Sequence, residues 1–84
     1  MIIAWAAKGW EDYLYWQAMD KQALKRINAL IKDIQRSPHE GLGNPEPLRH
    51  NWSGYWSRRI DREHRLVYKA TGETITIVQC RYHY

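Results

Sequence analysis

Between residues 20 and 38 the chain reads DKQALKRINALIKDIQRSP, and this stretch constrains the fold more than any other. Asp20 is a good N-cap, because a carboxylate there accepts from the backbone N–H groups that open a helix. Leu24, Ile27, Leu30, Ile31 and Ile34 recur at helical spacing and form one apolar stripe. Arg36 stands in the last turn, and Ser37-Pro38 stops the helix. A helix with one apolar stripe needs an apolar surface to lie on, and the second half of the chain supplies a sheet. GYWSRRI and HRLVYKA alternate as strands joined by a tight DRE link, TGE makes a second turn, and TITIVQCRYHY reads as a third strand running to Tyr84. Upstream, MIIAWA reads as an opening strand. KGWEDYLYWQAM reads as a first helix, with Trp10, Tyr13, Leu14 and Gln17 at helical spacing and Glu11 and Asp12 in its first turn. The segment SPHEGLGNPEP, which holds all three prolines, reads as a loop. The order β-α-α-β-β-β predicts an α+β fold in which two N-terminal helices pack on one face of a twisted antiparallel sheet.

Eighty-four residues make a single domain, 1–84, with a modest core. Five Trp, six Tyr and no Phe leave too many large rings to bury them all, so some are expected at a cleft or a partner interface. Trp5, Trp10 and Trp16 are expected to pin the helices or bury a dimer face, and Trp52 and Trp56 to pack. The single cysteine, Cys80, excludes an internal disulfide and a cysteine-cluster metal site, and it reads as a small core residue. No stretch is long and apolar enough to span a bilayer, and Glu11-Asp12 interrupts what a signal peptide would need. A cytoplasmic location and no membrane partner are expected.

The net charge is +4, but its distribution says more: of eight Arg, six lie between Arg49 and Arg81. A segment rich in Arg and aromatic rings favours RNA over a membrane surface, since guanidinium forks suit phosphate and rings stack on bases.

The sheet face left uncovered by helices is the place for a site. By alternation Tyr55, Ser57 and Arg59 share a face, Arg65, Val67 and Lys69 share another, and Ile75, Ile77, Gln79, Arg81 and His83 share a third. The four His, at 39, 50, 64 and 83, lack metal-ligand spacing, and no Gly-rich phosphate loop or nucleophile elbow occurs. No cofactor is expected. What remains is metal-free proton transfer, for which RNA carries its own nucleophile in the ribose 2′-OH. His83, with an ordinary pKa of about 6.5, suits the acid. Glu46, held between Pro45 and Pro47, suits the base. Arg59 and Arg65, with Arg49 nearby, suit a phosphate clamp, Arg81 brings a further guanidinium, and Tyr55, Tyr82 and Tyr84 suit base stacking. The plainer readings are an exposed terminal His and a solvated loop Glu. Arg58 or Arg62 reads as the surface partner of Asp61 or Glu63, and His39, His50 and His64 as structural or solvated.

PEPLRHNWSGYWSRRIDREHRLVYKA and the terminal CRYHY stand behind WEDYLYWQ and INALIKDIQRSPHEGLGNPEPL. Together these closely resemble YoeB-type toxins of the RelE/ParE superfamily over essentially the whole chain. The resemblance implies a microbial-ribonuclease-like fold and cleavage of translated messenger RNA in the ribosomal A site. It implies Glu46 as general base, Arg65 as transition-state stabiliser, Arg59 on phosphate, His83 as general acid and Tyr84 in positioning the substrate. Arg49 replaces the Lys familiar after PEPL, a planar fork for a point charge. The implied partners are the ribosome with its message, a cognate YefM-like antitoxin, operator DNA through that antitoxin, and a second copy of the chain. The alternatives are a ParE-like inhibitor of DNA gyrase and an RNA-binding module that does not cut.

Overall fold

The computed structural model describes residues 1–83. Its elements are β1 (Ile2–Trp5), α1 (Ala7–Met19), α2 (Lys21–Arg36), β2 (Glu46–Pro47), a single 3-10 turn (His50–Trp52), β3 (Trp56–Arg59), β4 (Arg65–Thr71) and β5 (Thr74–Gln79). Asp20 caps α2 by accepting from the backbone N–H of Gln22 at 3.0 Å and of Ala23 at 3.1 Å. The apolar stripe faces inward as its spacing predicts: Ala23, Ile27, Leu30 and Ile34 are buried, with Leu24 and Ile31 half-buried at its flanks.

The five strands form one sheet in the order β1-β5-β4-β3-β2. The β2–β3, β3–β4 and β4–β5 pairs are antiparallel, while β1 runs parallel to β5, so the α+β architecture is built on a mixed sheet. Leu66, Tyr68, Ile75 and Ile77 carry the sheet's contribution to the core, against Trp16, Ile27, Leu30 and Ile34 from the helices.

Three elements differ from their sequence reading. In α1 the buried residues are Gly9, Asp12 and Trp16, whereas Trp10 and Leu14 are 45% and 43% exposed. The cause is closeness: a Cβ on Gly9 would lie 2.4 Å from the Ile77 carbonyl oxygen, so only glycine lets α1 settle on β5. Asp12 is therefore no first-turn surface acid. Its carboxylate is buried, paired with the Lys8 ammonium and accepting from the Cys80 N–H at 3.0 Å.

Second, β5 stops at Gln79 instead of running to Tyr84. Its register with β4 shifts between Val67 and Tyr68, which places Gln79 opposite Val67 and Ile77 opposite Tyr68. That bulge breaks the face shared by Ile77 and Gln79. The chain is then drawn towards α1, where Trp16 donates its indole N–H to the Cys80 carbonyl at 2.7 Å. Cys80 is the core residue the sequence predicts, and burial, together with the Asp12 charge, pushes its thiol up to about 12.

Third, Arg58 is not a surface partner of Asp61 or Glu63. It is fully buried, and its guanidinium donates five hydrogen bonds. Nε reaches the Tyr68 hydroxyl at 3.2 Å, Nη1 the Asp33 carboxylate at 2.6 Å and the Leu42 carbonyl at 3.1 Å, and Nη2 the carbonyls of Ser37 at 2.7 Å and Glu40 at 2.9 Å. Tyr68 in turn donates a hydrogen bond from its hydroxyl to the Pro38 carbonyl. Hydrogen bonds from Arg36, from the Leu42 N–H and from Arg58 hold the Asp33 carboxyl well below the usual carboxylate range.

Arg58→Met should cost about 3 kcal/mol or more, because it strands the Asp33 carboxylate and three loop carbonyls; urea denaturation checks this. Acid should also weaken the fold. A carboxyl whose folded pKa is depressed contributes its stability above the ordinary aspartate range and loses it as pH falls towards the folded value. The urea midpoint should therefore drop between about pH 4 and pH 2, and drop less in Asp33→Asn.

Candidate active site

The site is built by alternation on β3. Arg58 points to the helices, so its neighbours Ser57 and Arg59 point to the opposite face, where Ser57 is buried and Arg59 exposed. Backbone register then assembles two rows. Glu46 on β2, Ser57 on β3, Val67 on β4 and Gln79 on β5 lie side by side. The adjacent row pairs Arg59 with Arg65.

Glu46, expected in a loop, belongs to β2, an edge strand short enough to accommodate Pro47. The turn before it is shaped by Gly43 and Asn44, both at positive φ, +80° and +53°. Gly43 offers its carbonyl to the Arg59 N–H at 2.7 Å, which ties the turn to β3. Asn44 donates its side-chain amide to Glu46 Oε1 at 3.2 Å, and the same oxygen lies 3.8 Å from Arg65 Nη1. The carboxylate is half exposed and the guanidinium mostly buried.

Two polar atoms in this region stand out. Arg65 Nη1 and Ser57 Oγ are buried and have no hydrogen-bond partner among the described residues. A buried donor without a partner is costly, and native proteins seldom leave one without a reason.

The chain end arrives beside Arg65. The Arg65 N–H donates to the Tyr82 carbonyl at 3.1 Å, so His83, which is exposed, follows directly on a residue bonded to β4. Tyr84 lies outside the described residues. Arg81 sits elsewhere than the face shared with Gln79: its guanidinium lies 3.5 Å from the centre of the Tyr15 ring on α1 and 4.5 Å from that of Tyr82. Arg49 and Glu46 line a cleft of about 310 Å³ together with His50 and Trp52. Tyr55 meets Trp52 edge-on at 5.5 Å, with the Lys69 ammonium 5.3 Å from its ring.

Sequence reasoning assigned no role to Asn44 or Ser57 and read His64 only as structural or solvated. The GLGN run signals the turn that carries Asn44, and the alternation of β3 put Ser57 on the right face. His64 had no local signal, since its partner, Tyr82, is distant in sequence.

Comparison with known proteins places the chain among small α+β toxins. It superimposes on the YoeB/ParE toxin from Agrobacterium tumefaciens with a TM-score of 0.97, at 45% identity over 100% of both chains. A YoeB-YefM complex from Staphylococcus aureus gives a TM-score of 0.93 at 46% identity, covering 100% of this chain and 98% of that one. Residues 5–84 match the family described as YoeB-like toxin of bacterial type II toxin-antitoxin system, and the chain belongs to that family. Toxin YoeB of Escherichia coli strain K12 is 58% identical to it over 84 residues, the full length of both.

The Glu46–Arg65 pair is long and half exposed, which makes it a weak contributor to stability. Glu46→Gln should therefore shift the urea-unfolding free energy by less than about 1 kcal/mol.

Proposed function

We propose that this toxin is a ribosome-dependent endoribonuclease that cuts translated messenger RNA in the A site without a metal ion. The observation that supports this reading best is the Glu46 carboxylate set 3.8 Å from Arg65 Nη1 on the sheet face away from the helices, with the chain end bonded at Arg65. Glu46 takes the proton from a ribose 2′-OH. The freed oxygen attacks the adjacent phosphorus, the P–O5′ bond breaks, and His83 protonates the leaving 5′-oxygen. The products are a 2′,3′-cyclic phosphate and a 5′-hydroxyl. Arg65 meets the charge that builds on the phosphorane, and its buried Nη1, paired at 3.8 Å with Glu46 but without a hydrogen-bond acceptor among the described residues, is suited to a phosphoryl oxygen.

Arg59 and Arg49 bind flanking phosphates, Tyr55 stacks on a base, Arg81 steadies the chain end against α1, and Tyr84 positions the substrate. The net charge of +4 favours docking on ribosomal RNA, so cleavage should weaken as salt rises. A YefM-like antitoxin restrains the toxin by folding onto this end of the molecule, and operator DNA is met through the antitoxin.

His83→Gln and Glu46→Gln should each fold normally and lose about 100-fold or more of message cleavage, read by primer extension on translating ribosomes. EDTA should leave the wild-type rate unchanged. Wild-type cleavage by His83→Gln would remove the acid assignment. Discrete breaks absent from the wild-type reaction, together with inhibition of plasmid supercoiling by gyrase, would replace the whole reading with a gyrase-directed one.

A further inference from the structure

Residues 80–82 are held at every step by atoms from other elements. Asp12 takes the Cys80 N–H and Trp16 holds the Cys80 carbonyl. The next anchor but one belongs to His64. Its Nδ1 accepts the Tyr82 N–H at 2.7 Å, while the backbone N–H of the following residue, Arg65, donates to the Tyr82 carbonyl at 3.1 Å. Two consecutive residues thus clamp both backbone polar groups of one.

Tyr82 needs such a clamp. Its φ of +67° lies in the left-handed region, which is strained for a non-glycine residue. That turn sets the direction in which the chain leaves for His83. The His64 ring is itself fixed. It is only 13% exposed, stands edge-on to Trp16 at 4.8 Å between ring centres, and lies against the Tyr82 ring at 5.8 Å. An Nδ1 that accepts a backbone N–H carries no proton, so the ring is the neutral Nε2–H tautomer. Its Nε2 faces the Glu63 carboxylate at 3.8 Å.

We propose that His64 is a positioning residue of the cleavage reaction: its Nδ1 fixes the left-handed turn at Tyr82 and thereby aims His83 beside Arg65. The proposal rests on the reading of His83 as the general acid. A displacement of about 1 Å at a reacting group can cost on the order of 100-fold in rate, so a lost anchor one residue away should be visible in kcat.

The test uses the intact toxin. His64→Phe keeps the ring packing against Trp16 and removes the acceptor, while His64→Asn restores an acceptor oxygen close to the position of Nδ1. With a short RNA substrate and with ribosomes, His64→Phe should lower kcat by about 10- to 100-fold with KM changed less than about 3-fold, and His64→Asn should recover most of it. In a His83→Gln background, His64→Phe should lower the residual rate no further, because it acts through the missing imidazole. Hydrogen exchange reads the anchor without reference to activity. The Tyr82 amide should be protected in wild type and in His64→Asn and exposed in His64→Phe. Nitrogen chemical shifts of the His64 ring should show the Nε2–H tautomer in wild type. An unchanged kcat in folded His64→Phe, an additive loss in the double variant, a Tyr82 amide still protected in His64→Phe, or an Nδ1–H tautomer in wild type would each overturn the proposal. A wild-type protein that fails to cut RNA while its Tyr82 amide behaves as expected would instead count against the cleavage reading and leave the turn assigned to His64.

Discussion

The Arg58 guanidinium is the interaction on which the rest of the molecule depends. A domain of this size cannot bury a charge without answering each of its hydrogen-bonding groups. Here five acceptors do so: the Tyr68 hydroxyl, the Asp33 carboxylate and the carbonyls of Ser37, Glu40 and Leu42. These partners come from the end of α2, from the connection that follows it and from β4. A connection rich in glycine and proline, with little apolar surface of its own, is thus given a defined path. That path delivers Gly43, Asn44 and Glu46 to the far face of the sheet.

The strand carrying Arg58 therefore works on both sides. Towards the helices it organises the connection; on the opposite face its neighbours are Ser57, which is buried, and Arg59, which is exposed, both members of the candidate site. The same division recurs at the other end of the sheet. Asp12 and Trp16, residues of the packed helix face, hold Cys80, and the chain just beyond it carries the proposed acid. Core and candidate site are joined through hydrogen bonds from buried side chains to the backbone, without a long lever between them. A site formed by strand register is also stiff, which suits chemistry that depends on placing few groups well.

Much of this was legible in the residues, and the parts that were not have physical causes. The α2 helix announced itself because its cap, stripe and stop are all local. Glu46, Arg59, Arg65 and His83 were nominated by chemistry and motif, and the structure brings the first three to adjoining positions on one face with the chain end beside them. Arg58 was misplaced because an arginine beside Asp61 and Glu63 looks like a surface charge. Its true acceptors are mostly carbonyls, to which side-chain patterning is blind. The face of α1 was misread because the tightest contact in the helix belongs to Gly9, whose importance lies in having no side chain. The early end of β5 depends on a one-residue bulge and on anchors from α1 and β4, so no local pattern marks it.

The parallel pairing of β1 with β5 has a consequence for the birth of the protein. β5 lies between β1 and β4, so the first strand to be translated has no neighbour in the sheet until the last described strand has appeared. Glu46 and Arg65 both precede Thr74–Gln79, the strand that joins β1 to the rest of the sheet. The sheet consequently cannot close until nearly the whole chain is available, and its completion waits on a pairing of high sequence separation.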